Sequence, residues 1–147
     1  MTHRAEIIMQ AVTAKISGLA TTGENVFRGR AGPDDLQAGE LPALLVWQGE
    51  DDIVSDLMHG EVVSRLTVTI EAQARAAATQ IDTVLNAIRE EVTVALAADV
   101  SIGLGFVHDL AEDGADAPEI DAGNAVAGRL AMNWVVTYQR NRANPAN

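Results

Sequence analysis

Two runs in which apolar and polar residues alternate, 66–73 and 125–139, constrain this chain most. Successive side chains on an extended backbone point to opposite faces, so such a run buries one clean face as a strand but scatters its apolar groups if wound into a helix. The first run sets Leu66, Val68, Ile70 and Ala72 against Arg65, Thr67, Thr69, Glu71 and Gln73. The second sets Val126, Leu130, Met132, Trp134, Val136 and Tyr138 against Ala127, Arg129, Ala131, Asn133 and Thr137. Each is predicted to be a long strand with one buried face.

Between and before these runs the period changes. Ala5, Ile8, Val12, Ile16 and Leu19 recur at three- and four-residue steps, which predicts an N-terminal helix ending near Gly18 with Thr2 as its cap. Ile81, Val84, Leu85, Ile88, Val92, Ala95 and Leu96 form a second helical stripe, with Thr79 and Asp82 spaced as a capping box. Residues 25–30 are predicted as a short strand, ended by the turn cluster Gly32, Pro33, Asp34 and Asp35. The compact apolar run Ala43, Leu44, Leu45, Val46 and Trp47 suits a central strand. Residues 49–60 and 110–124 read as acidic connections, and 101–109 as an edge strand with a bulge at its glycines.

Helices that bury one stripe and strands that bury one face are satisfied most simply together. The expectation is therefore an α+β fold. It has a mainly antiparallel or mixed sheet of four to five strands, two main helices on one face, and a single domain spanning residues 1–147 with 140–147 as a basic tail. The chain has 147 residues and no cysteine, and 48% of it is hydrophobic but only 3% aromatic, so an aliphatic core must hold it without disulfides.

Chemistry is sparse. His3, His59 and His108 show no metal-site spacing, no Ser stands in a nucleophile-elbow string, and residues 109–121 fail the EF-hand pattern despite their carboxylates. Solvated loop residues account for these groups more simply than a site, and no catalytic residue, metal site or cofactor is expected. A net charge of −11 disfavours direct nucleic-acid binding, and no apolar stretch is long enough for a bilayer or placed as a signal peptide. A soluble protein is expected.

The charge is unevenly placed. Fourteen of the 21 acids fall in residues 34–61 and 109–121, whereas Arg28, Arg30, Arg65, Arg129, Arg140 and Arg142 sit on or beside predicted strands. Separated acidic and basic regions let copies meet head to tail, and such a contact closes into a ring when its rotation permits. The residues expected at that interface are Arg65 and Arg129, meeting acids among Glu50, Asp51, Asp52, Asp113 and Asp116.

The succession of a helix over residues 4–19, a strand at 26–30, Leu41-Pro42-Ala43-Leu44-Leu45-Val46 opening into Gly49-Glu50-Asp51-Asp52, a long strand at 65–73, a helix at 81–96 and a last strand closing on Tyr138-Gln139-Arg140 resembles the tail terminator (tail completion) proteins of long-tailed phages and gene transfer agents. The resemblance lies in order and spacing along nearly the whole chain rather than in a motif. It implies a hexameric ring on the head-proximal end of the tail tube that ends tube polymerisation. The partners it implies are copies of itself, the tail tube protein and the head completion or neck protein. It implies no enzymatic step and no cofactor, and a place in the virion after assembly in the host cytoplasm. On docking, residues 49–60 and 110–124 would order. Another tail or neck component, such as a tube subunit or head–tail connector, fits the same pattern. A small soluble ligand- or metal-binding protein using His59, His108 and the acidic loops is the reading from a different class.

Overall fold

The computed structural model describes residues 1–29, 36, 38–121 and 126–147. Its centre is the pair formed by the two alternating runs. Strand β3 (Glu61–Ala76) and strand β6 (Val126–Asn141) are antiparallel over their full lengths, from Glu61 opposite Asn141 to Ala76 opposite Val126. Outside β3 lies β2 (Ala43–Asp56), antiparallel to it, and beyond β2 the short parallel β1 (Val26–Arg28). The other side of β6 carries β4 (Val107–Ala115) and then β5 (Glu119–Asp121) in line along the same edge. The sheet is thus mixed and six-stranded, in the order β1-β2-β3-β6-β4 with β5 also on β6.

Helices α1 (Arg4–Lys15) and α2 (Ile81–Ala97) bury Ile8, Met9, Val12, Ile81, Leu85, Ile88, Val92 and Leu96 in one core with Leu66, Val68, Ile70 and Ala72 of β3 and Leu130, Met132, Trp134, Val136 and Tyr138 of β6. The α+β expectation holds, with both helical stripes meeting the same sheet face. Gly128 sits on that face where α2 begins; a Cβ there would lie 2.6 Å from Ile81 Cγ1. Among the described residues no α-helix covers the opposite face, where Leu36, Ala43 and Leu45 form a second, smaller cluster with Phe27, Leu41 and Trp47 near β1. Residues Ala43 to Val46 are buried on both faces, as a continuous apolar run requires.

Several boundaries differ from the sequence reading. His3, not Thr2, caps α1, its Nδ1 accepting from the Ala5 amide at 3.0 Å. That helix stops at Lys15, and Gly18 at φ +80° makes the turn after it. No capping box opens α2: its N-cap is Gln80, which makes no side-chain cap bond, and Thr79 lies in the preceding turn. Strand β1 ends at Arg28, while Arg30 and the turn cluster Gly32, Pro33, Asp34 and Asp35 lie outside the described residues.

The larger corrections concern the acidic connections. Residues 49–56 continue β2, paired with β3 through register shifts between Gln48 and Asp51 and between Ile53 and Ser55. Residues 101–106 form turns, and the edge strand, β4, begins at Val107 inside the stretch expected to be a strand and runs on to Ala115 through residues read as a loop. Residues 51–56 pair with β3, and residues 110–115 and 119–121 pair with β6; residues 122–124 lie outside the described residues. Bulges explain the misreading. An extra residue breaks the two-residue period, so Val107 and Leu110 both reach the core although they stand three apart. Nor is 140–147 a free tail: Arg140 and Asn141 belong to β6, the Arg142 amide donates to Gly60 O at 2.8 Å, and Pro145 O accepts from the Arg4 amide at 3.0 Å.

Candidate assembly interface

The residues that β2 carries beyond its buried root decide what this surface presents. From Gln48 to Asp56 every residue is exposed except Asp51, which is half-buried. Pairing with Val62 to Leu66 stiffens this stretch into an arm, and the arm closes through a tight turn over Met58–Gly60 in which His59 (φ +63°) and Gly60 (φ +78°) are both left-handed. Positive φ is tolerated by histidine better than by most side chains and costs glycine nothing. At the tip stand the exposed apolar residues Ile53, Val54, Leu57 and Met58, the last 76% exposed. These four large apolar side chains, exposed along one end of the sheet, are a candidate contact surface.

The arm is fastened at its root and at its tip. The Tyr138 hydroxyl donates to Asp51 Oδ2 at 2.6 Å from beneath the sheet. Burial, then the bond to the Asp51 carboxylate, pushes that phenol above its ordinary range, while Arg140 pulls the other way. Asp51 Oδ1, Ser64 Oγ and Arg140 Nε are further buried polar atoms with no hydrogen-bond partner among the described residues. At the tip Arg142 Nη2 lies 2.5 Å from Asp56 Oδ1.

The seven residues expected at the interface do not form one patch. Arg65 and Asp52 face each other across β3 and β2 and are both exposed, and Arg65 makes no ion pair among the described residues. Glu50 stands in the bulge between Gln48 and Asp51, whereas Asp51 turns to the helix side and serves Tyr138. Arg129 lies at the far end of β6, 2.8 Å from Glu119 of its own chain. Asp113 falls within the second β4 bulge, and the Asp116 amide continues that edge by donating to Ala131 O at 2.9 Å. The acids therefore line both outer edges of the sheet while Arg65 and Arg129 occupy the central strands, so joining two edges would set like charges together.

What the sequence reading missed is the apolar tip and a second feature at the opposite end. There a cleft of ≈ 360 Å³ opens beside Leu41, Ala74, Arg75, Ile120 and Arg129. Ile53, Val54, Leu57 and Met58 were visible as apolar letters, but without a period nothing marked them as exposed.

Among the described residues no group of three His, Cys, Asp or Glu side chains is placed to hold a metal ion, and no helix is long and apolar enough to cross a membrane. The chain matches no protein-family model and no curated protein.

Proposed function

We propose that this chain is a structural subunit that assembles into a ring, hexameric by its resemblance to tail terminators, and caps the head-proximal end of a phage-type tail tube. In that role it ends tube polymerisation and offers the joining surface for the neck, and its place is the virion tail. The observation that carries the reading is the arm: an acidic strand end with exposed apolar residues at its tip suits contact with other proteins.

Absolute molar mass by light scattering across a wide concentration range, with negative-stain images and a tube-capping assay, tests it. A discrete six-subunit species that halts growth of tail tubes is expected. Unlimited tubes from the purified chain would favour a tube subunit instead, and a dimer indifferent to tubes would sink the reading.

A further inference from the structure

We propose that Met58 is a site of reversible oxidation by hydrogen peroxide, and that its sulfoxide switches off the contact surface at the end of the arm. The inference rests on the assembly reading and names a regulation of that surface.

The chain has four methionines and no cysteine, so thioethers are the sulfur it offers to a peroxide. Burial divides them. Met9 of α1 and Met132 of β6 are fully buried in the helix–sheet core, whereas Met58 is 76% exposed and Met1 is exposed as well. A peroxide reaches the two core sulfurs only when the fold opens, and opening is suppressed by the free energy of folding. Met58 needs no such event. It begins the turn over Met58–Gly60, in which His59 and Gly60 are left-handed. The Leu57 amide on Glu61 O at 2.7 Å and the Arg142 amide on Gly60 O at 2.8 Å hold that turn. Those bonds use main-chain groups, so a change at the Met58 sulfur leaves them in place.

The reaction is a two-electron oxygen transfer. A sulfur lone pair attacks one peroxide oxygen, the S–O bond forms as the O–O bond breaks, and the second oxygen leaves as water with both protons. Sulfur is oxidised and the peroxide reduced. The product replaces a soft, apolar thioether with a polar, chiral group, and methionine sulfoxide reductases reverse it. Met58 is the most exposed of the four apolar residues at this end, the others being Ile53, Val54 and Leu57. Covering the sulfoxide oxygen in a contact built for a thioether leaves it without a donor, so the oxidised end binds less well.

The test exposes the full-length chain to dilute hydrogen peroxide and locates the added oxygen by peptide mass spectrometry. Analytical ultracentrifugation then reads association, with circular dichroism as the check on folding. Oxygen should appear on Met1 and Met58 before Met9 and Met132. The oxidised chain should stay folded and associate about tenfold more weakly, the effect of one polar group covered without a partner. Treatment with reductases for both sulfoxide epimers should restore association. Met58→Leu keeps an apolar side chain and Met1 but removes this sulfur, so peroxide should leave its association unchanged. Oxidation of Met9 or Met132 as fast as Met58, rings that form equally well once Met58 is oxidised, or an equal peroxide loss in Met58→Leu would each overturn the switch and leave the ring standing. A wild-type chain that stays monomeric at every concentration would defeat the ring reading and the switch with it.

Discussion

Tyr138 and Asp51, 87 positions apart, share a 2.6 Å hydrogen bond that ties β6 to the exposed arm across the intervening β3. Tyr138→Phe keeps the ring and removes the donor, leaving a half-buried carboxylate without it. The expected cost is about 1–3 kcal/mol of folding stability in urea denaturation. Amide exchange should rise in residues 50–56 more than in 66–73.

The same pair predicts an alkaline limit. The fold binds the neutral phenol, so its folded pKa lies above the unfolded value of about 10. That contribution is complete below about pH 10 and is lost as pH rises through the folded value. The chain has a single tyrosine, so ultraviolet titration reads this group directly. Ionisation of the native protein should come later than that of the urea-unfolded chain, and coincident curves would refute the burial argument.

Gly128 should resist substitution. Its added Cβ would meet Ile81 Cγ1 at 2.6 Å and both Ile81 Cδ1 and Leu85 Cδ1 at 3.0 Å, lifting the start of α2 off the sheet. Gly128→Ala is expected to cost about 1–3 kcal/mol, the usual range for overpacking. In a cycle with Ile81→Ala, the double variant should lose less than the sum of the single losses, because the methyl gains the space the isoleucine leaves.

Glu6 on α1 accepts from Arg28 on β1 through both carboxylate oxygens, at 2.7 and 3.1 Å. The Arg28 guanidinium holds the Glu6 carboxyl below its ordinary range. A lowered folded pKa gives stability present above the unfolded value of about 4.3 and lost as pH falls through the lowered one. Since the pair is largely exposed, its worth is at most about 1 kcal/mol. NMR titration of Glu6 should return to the ordinary range in Arg28→Ala.

Arg65→Glu separates folding from assembly. The side chain is exposed without an ion pair among the described residues, and the reversal sets a glutamate opposite Asp52, so monomer stability should fall by no more than about 1 kcal/mol. Molar mass at high concentration should nevertheless fall if the basic sheet face meets a neighbour's acids, and an unchanged mass would remove Arg65 from the interface.

The core was legible because burial imposes a period: the stripes of α1 and α2 and the inward residues of β3 and β6 were each predicted from spacing and are buried together. Residues 49–56 and 110–115 were hidden because an edge strand buries little, so nothing selects alternation, and bulges at Gln48/Asp51 and Glu112/Ala115 scramble what remains. Gly128 sat unremarked at an inward position of β6, since the need for a missing side chain appears only when the helix above it is placed. Of the expected interface, the charges were readable but not their arrangement, which the strand order decides. Asp51 shows this most clearly, because the bulge at Gln48 turns it from the surface toward Tyr138.

The bulged, carboxylate-lined rims of the sheet carry a consequence for concentrated solution. A free strand edge is a template on which further strands can add, the first step toward fibrils. Here an incoming strand would lose register at Gln48/Asp51 on one rim and at Glu112/Ala115 on the other, and would meet Asp52 or Asp113 as it approached. Strand addition at these rims is therefore disfavoured, so that contact between crowded molecules falls to side chains rather than to backbone edges.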